Sequence, residues 1–291
     1  MSIRDAATIV LLKRFDDGLR TLLLRRHRAS GFMAGAFVFP GGKLDDDDVA
    51  SVTLARAPRV DAIQLMKATP GRALDETHAH GLYVAACRET FEEAGALFAR
   101  RRGEETLVRL DDDTRWSDWR KKLTNREAVF SEMLEAEDLE LDLTHIHYFD
   151  HWVTPSAEPR RFDTRFFVAE VPAGQTPELD RHELVEERWL SPAEALSAHY
   201  AGELFLPPPT QRTLDALRSA ASFEEVAKMA ARRAPNIGPV MPKVRVIDGD
   251  ITILLPWDPL YEQTEGESLA AEDPDPEAQR PSRIVLKPAG G

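Results

Sequence analysis

The run Arg88-Glu89-Thr90-Phe91-Glu92-Glu93-Ala94-Gly95 places three carboxylates at positions i, i+3 and i+4. On a helix those positions are neighbours, so several oxygens come within reach of one ion. Mg²⁺ and Mn²⁺ prefer oxygen ligands in near-octahedral geometry and commonly share them with substrate phosphates. Crowded like charges repel, and a cation must offset that repulsion; Arg88 can supply part of it. Metal-assisted breaking of a diphosphate bond is the chemistry such a set can do. A charged run is more often just a solvated helix face, so the surroundings have to decide.

Those surroundings are well patterned. Val84, Cys87, Phe91, Ala94 and Phe98 follow a helical stripe, while the three glutamates fall off it. Upstream, the apolar run Ile9 to Leu12, the turn Asp16-Asp17-Gly18 and Leu22 to Leu24 predict a hairpin. Phe37-Val38-Phe39 predicts a third strand, stopped by Pro40-Gly41-Gly42. From Lys43 to His80 no period is sustained, and the segment reads as an inserted excursion. Trp116 to Leu134 predicts helix; Ile146 to Val153 and Phe162 to Val171 predict strands. Ser191-Pro192-Ala193-Glu194 and Ser222-Phe223-Glu224-Glu225 are helix starts, and Asp248-Gly249 turns a second hairpin. The fold class is therefore α/β, more narrowly α+β, with a mixed sheet flanked by helices. One domain is expected over residues 1–261, with an insertion at about 43–80 and a C-terminal extension at about 205–261. Residues 262–291 read as an acidic, largely disordered tail, with Arg283 to Leu286 able to return as an edge strand.

Composition narrows the function classes. The net charge is −13, and seven acids between Glu262 and Glu277 supply about half of it. A protein that coats nucleic acid needs a broad basic surface, which this balance denies. A single cysteine, Cys87, forms no internal disulfide and builds no thiolate zinc site alone. No stretch approaches the ~20 apolar residues of a membrane span. The polar start Met1-Ser2-Ile3-Arg4-Asp5 and the end Pro288-Ala289-Gly290-Gly291 match no secretory or peroxisomal address, so a cytoplasmic location is expected. The expected partner is a small-molecule nucleotide substrate, with no nucleic acid and no membrane; a homodimer is left open.

Arg88 to Gly95 resembles the second half of the Nudix box, and Gly41-Gly42 resembles its opening. The family consensus runs Gly, five residues, Glu, seven residues, Arg-Glu, apolar, any, Glu-Glu, any, Gly, apolar. Here 45 residues separate Gly42 from Arg88 where 13 are expected, an insertion of roughly 32. Counted back from Arg88, the family's glutamate falls on His80, and Asp75 or Glu76 are the candidates to brace the arginine instead. One branch of the family, that of the mammalian peroxisomal acyl-coenzyme A diphosphatase, carries such an interruption. Gly31 to Asp45, Trp152-Val153-Thr154-Pro155, Arg161 to Phe167 and Leu206-Pro207-Pro208-Pro209 are similar to landmarks of that branch.

The resemblance implies a Nudix fold and a hydrolase using Mg²⁺ or Mn²⁺. It implies metal binding by Glu89, Glu92, Glu93 and the backbone carbonyl of Gly41, with Glu89 as ligand or general base. Arg88, Gly42 and Gly95 would be structural in the motif. A base from a distal loop is the alternative, from Glu183, Glu186 or Glu187. The implied reaction is hydrolysis of coenzyme A or acyl-coenzyme A to 3′,5′-ADP and an (acyl-)4′-phosphopantetheine. ADP-ribose, NAD(H) and dinucleoside polyphosphates are the alternative substrates, and a non-catalytic ligand-binding module is the alternative of another class. Arg25, Arg26, Arg28, Arg160 and Arg161 are candidate phosphate contacts, because guanidinium forks grip phosphate well. Phe32, Met33 and Trp152 are candidates for an acyl or pantetheine path, with core packing the competing role. His145, His147 and His151 raise a zinc site that their spacing supports poorly, and Cys87 reads as packing.

Overall fold

The computed structural model describes residues 3–27, 33–67, 73–110, 114–179, 184–269, 271–278 and 280–286. The expected hairpin is present as β1 (Arg4–Phe15) and β2 (Gly18–Arg26), closed by the pair Phe15 and Gly18. Two short strands follow, β3 (Phe37–Val38) on β2 and β4 (Gly41–Lys43) on β1. The sequence shows β4 only as a turn, because three residues become a strand through their partner and not through a pattern of their own. The insertion holds a 3-10 turn at Asp46–Val49, then α1 (Ser51–Leu54) and α2 (Ala62–Lys67). It merges into the acidic helix α3 (Glu76–Ala94), which begins before the excursion was expected to end.

After β5 (Ala99–Arg101), the expected single helix is two, α4 (Thr114–Thr124) and α5 (Phe130–Ala136). The break contains Arg126 at φ 59°, a left-handed residue that no helix accommodates. Then come β6 (Leu139–Leu141), β7 (His147–Val153), β8 (Phe162–Glu170) and β9 (Leu184–Leu190). The C-terminal part adds α6 (Pro192–Tyr200), α7 (Pro208–Leu217) and α8 (Phe223–Arg233), then β10 (Lys243–Ile247), β11 (Asp250–Leu254) and β12 (Arg283–Leu286). Both predicted capping serines hold their helices, Ser191 accepting from the Glu194 N–H and Ser222 from the Glu225 N–H.

The main sheet runs β3-β2-β1-β8-β7, with β4 also on β1 and β9 also on β2. Only β1 and β8 pair in parallel among these, so the sheet is mixed. Alternate residues of β1 serve two cores. Ile9 and Leu11 pack with Leu82 and Phe91 of α3, while Val10 and Leu12 pack with Leu214 and Val226 on the opposite face. A sheet covered on both sides in this way fixes the height of α3 against β1 and β4, which is what the candidate site requires.

The described part of the acidic tail does not hang free, contrary to the expectation of a largely disordered segment. Asp273 pairs with Arg212 at 3.0 Å, Asp275 pairs with Arg233 and Arg280, and β12 adds an edge to β11. Arg233 is 3% exposed. A buried guanidinium left without carboxylates would be costly, so the acids are held by cations of the domain.

Candidate active site

Arg88 organises the site. It is 5% exposed, and its donors are spread over four acceptor groups. Nε and Nη2 grip the two oxygens of Asp48, each at 2.8 Å, in a bidentate fork. Nη2 also donates to the carbonyl of Lys43 at 3.0 Å, tying α3 to β4. Nη1 reaches Glu89 at 2.9 Å and Glu92 at 3.4 Å. Asp48 is fully buried and accepts a further bond from the Asp45 N–H at 2.8 Å. Burial works against the charge on Arg88, but the Asp48 bond and the charges of Glu89, Asp48 and Glu92 together outweigh it, holding the guanidinium well above its ordinary pKa.

Asp48 is the brace that sequence reasoning missed. Asp75 instead caps α3 by accepting from the His78 N–H, and Glu76 pairs with Arg59, so neither expected substitute touches Arg88. His80 donates from Nε2 to the carbonyl of Ala57 at 2.7 Å and so anchors the insertion. The signal was available: counted forward from Gly42, the consensus position of the glutamate is residue 48. The insertion therefore follows the acid instead of displacing it.

The two glycines at 41 and 42 have separate reasons. A Cβ on Gly41 would lie 2.4 Å from the carbonyl oxygen of Ala7, so only glycine lets β4 approach β1 there. A Cβ on Gly42 would lie 2.3 Å from Glu89 Oε1, so its absence makes the room that the Glu89 carboxylate occupies. The Gly41 N–H donates to Glu93 Oε2 at 2.8 Å. Gly95 ends α3 at φ 65°, and Arg120 caps the same end, donating to the carbonyls of Glu92 at 2.8 Å and Glu93 at 2.6 Å. Arg120 too went unnoticed in the sequence, since its partner is backbone.

Glu89, Glu92 and Glu93 all line one cleft of about 1560 Å³, together with Gly41 and Gly42. Burial lifts the Glu89 carboxyl above its ordinary value and takes Glu92 up to about 7, against the pull of Arg88. Among the described residues, no three His, Cys, Asp or Glu side chains are gathered as tightly as around a bound ion. Arg88 holds Glu89 and Glu92, and the Gly41 N–H holds Glu93. In kind the donors still fit a hard divalent cation: they are all oxygens, they sit on one wall, and their crowded charge calls for one.

Of the basic candidates, Arg26 and Arg160 line the cleft, joined by Arg4, which the sequence did not single out. Arg25 is instead paired with Glu186 at 3.0 Å, and Arg161 with the Thr154 carbonyl and Glu267, both at 3.1 Å. Neither is among the lining residues. Arg28, Phe32 and Glu183 lie outside the described residues. Met33 and Trp152 do line the cleft, Trp152 while packing into the core. Glu186 also pairs with Arg188, and Glu187 accepts from the Leu179 N–H, so neither faces the carboxylates of α3 across the cleft wall. The three histidines do not converge: His151 is buried against Asp163, His147 stands beside Phe223, and His145 lies 3.7 Å from Asp142. Cys87 is buried, and burial pushes its thiol up, which makes it packing and not a nucleophile.

Comparison with known proteins agrees with this geometry. The family model described as the NUDT19 Nudix domain matches residues 3–217. An acyl-coenzyme A diphosphatase NUDT19 from Xenopus laevis is 28% identical over 282 residues, covering 87% of this chain and 72% of the relative. The protein of the same name from Homo sapiens is 29% identical over 273 residues, covering 84% and 73%. The crystal structure of a NUDIX hydrolase from Alicyclobacillus acidocaldarius superposes with a TM-score of 0.65 at 30% identity, covering 78% of this chain and 96% of that one. A buried arginine braced by Asp48, three carboxylates on one helix and a glycine turn laid over them are thus set in a matching fold, and the chain belongs to the Nudix hydrolases, within the NUDT19 Nudix domain family.

Proposed function

We propose that the chain hydrolyses the diphosphate of coenzyme A and acyl-coenzyme A, releasing 3′,5′-ADP and the (acyl-)4′-phosphopantetheine. The observation that carries this reading is one cleft lined together by Glu89, Glu92 and Glu93, by Arg4, Arg26 and Arg160, and by the aliphatic Val244, Ile253 and Leu286. At about 1560 Å³ it exceeds the roughly 300–1,000 Å³ of an ordinary small-ligand pocket, as a long nucleotide thioester requires. The relatives named as acyl-coenzyme A diphosphatases point to the same substrate class.

Glu89, Glu92, Glu93 and the Gly41 carbonyl would hold Mg²⁺ or Mn²⁺. A bound divalent ion supplies charge neutralisation on the diphosphate oxygens and a lowered pKa for the attacking water. Water oxygen bonds to one phosphorus, the bridging P–O bond breaks, and the bridging oxygen leaves as a phosphate oxygen of the second product. Glu89 sits between Arg88 and the space left by Gly42, where it is placed to accept the proton of that water. Arg88 orients Glu89 and Glu92 from one side, and the Gly41 N–H orients Glu93 from the other. Arg4, Arg26 and Arg160 bind the phosphates of the substrate.

The test is product analysis on coenzyme A, ADP-ribose, NADH and a dinucleoside polyphosphate with Mg²⁺ or Mn²⁺, comparing wild type with Glu93→Gln. Coenzyme A should give 3′,5′-ADP, and Glu93→Gln should lower kcat by ~100-fold or more. Release of product only from another diphosphate would move the substrate, and release from none would favour a ligand-binding module.

A further inference from the structure

The C-terminal sheet turns a group of aliphatic side chains to solvent on one face. Cross-strand pairing aligns Val244 with Ile253 and Ile284, and Val246 with Ile251 and Leu286. Directly paired residues and residues two apart share a face, so six aliphatic side chains make one surface. The opposite face carries Lys243, Arg245, Thr252, Leu254, Arg283 and Val285; Lys243, Thr252 and Leu254 are buried against the domain, while Arg245, Arg283 and Val285 at the margin are exposed. There Lys243 Nζ donates to the carbonyls of Tyr261 and Thr264, and Leu254 is fully buried. An antiparallel sheet with one wet face normally turns its polar residues outward. Here Val246 is 66% exposed, Ile251 50% and Val244 45%.

This surface is continuous with the candidate active site. Val244, Ile253 and Leu286 line the same cleft as Glu89, Glu92 and Glu93, and Phe205 and Pro207 line it between α6 and α7. The surface is also reached across the main sheet from the glycine turn, since β4 and β8 pair with opposite edges of β1. The glycine turn pairs with β1, β7 lies two strands beyond β1, and residue 240 bridges to Trp152 just before β10 begins. At the spacing of neighbouring strands, β7 alone is roughly 10 Å from β1.

We propose that the aliphatic face of β10, β11 and β12 receives the acyl chain of the substrate, which selects acyl-coenzyme A over free coenzyme A. The inference rests on the proposed diphosphatase reading. With the diphosphate at the α3 acids, the pantetheine arm leads away from them and carries the thioester toward the apolar margin of the cleft. A chain laid on Val244, Ile253 and Leu286 continues onto Val246 and Ile251. Burying a methylene is worth up to about fourfold in affinity, so the preference should grow with chain length until the face is covered.

The test compares coenzyme A with octanoyl-coenzyme A, using wild type, Val246→Asp, Ile251→Asp and the milder Val246→Ser. Binding is measured by calorimetry in EDTA, and steady-state kinetics are measured with Mg²⁺. Wild type should bind octanoyl-coenzyme A at least ~10-fold more tightly than coenzyme A. The two aspartate variants should reduce that ratio below about threefold, with KM and kcat on free coenzyme A within about twofold of wild type and Val246→Ser intermediate. Equal binding of both ligands by wild type, or an unchanged ratio in all three variants, overturns the inference while leaving diphosphatase activity standing. A change from dimer to monomer in the variants with the ratio intact also overturns it, because a second copy then covers the face. Absence of coenzyme A hydrolysis together with absence of binding defeats the diphosphatase reading itself.

Discussion

Asp48→Asn tests the brace most directly. The substitution keeps the side-chain shape and one acceptor oxygen but removes the charge facing Arg88. Asp48 is fully buried and Arg88 nearly so, with two bonds of 2.8 Å between them. Breaking a buried pair by removing one partner costs about 3–5 kcal/mol, most of it the uncompensated charge that remains. For a domain of this size, ~1 kcal/mol moves Tm by about 2–4 °C, so a fall of roughly 6–20 °C is expected. The freed guanidinium also has Glu89 and Glu92 within reach, and it would compete there with any cation. Turnover at a Mg²⁺ concentration that saturates the wild type should therefore drop by ~10-fold or more, with partial recovery at higher metal concentration. Thermal unfolding and steady-state kinetics on coenzyme A read both effects. If Asp48→Asn keeps the wild-type Tm and kcat while Asp75→Asn or Glu76→Gln loses them, the brace lies at the N-terminus of α3 and the reasoning is refuted.

Gly42→Ala should fold, because the clash at 2.3 Å is with the far end of the flexible Glu89 side chain, but kcat should fall ~10-fold or more as that carboxylate is displaced; unchanged turnover would remove Glu89 from the chemistry. Arg26→Ala and Arg160→Ala should each raise KM for coenzyme A about fivefold or more, whereas Arg25→Ala, whose guanidinium is paired with Glu186, should leave KM near wild type; the opposite ranking would reassign the phosphate contacts. Burial lowers the pKa of His80 from 6.5, so the unfolded chain takes up this proton first. The stability present above pH 6.5 is then lost as pH falls below it toward the folded value, and His80→Gln should flatten the slope of Tm between pH 5 and about 6.5. An unaltered slope would mean that other groups set the acid limb.

Much of this was legible because it is local. The β1–β2 hairpin follows from Asp16-Asp17-Gly18 between apolar runs, and the acidic wall of α3 follows from the period of Val84, Cys87 and Phe91. What was not legible depends on partners far away in the chain. Asp48 and Arg88 are 40 residues apart, and counting backward through an insertion pointed to His80 instead. The tail looked disordered because composition shows seven acids but not Arg212 and Arg233 waiting for two of them. Arg25 and Arg26 are indistinguishable by type, and only the alternation of β2 turns one toward the cleft and leaves the other against Glu186.

The insertion also changes when the brace can form. In an uninterrupted motif the acid and the arginine are eight residues apart, and they meet as soon as one turn and one helix exist. Here 40 residues must be gathered first. Closing a loop five times longer costs about 1.4 kcal/mol more in chain entropy. That cost falls before the Arg88 bonds can form, and it is lessened once His80 has found Ala57, which closes 23 residues of the same loop. The brace thereby becomes a long-range contact, made late on the way to the native state. Its loss should show chiefly as faster unfolding with little change in the folding rate, so that an insertion within a catalytic motif makes that motif a lock on the finished fold.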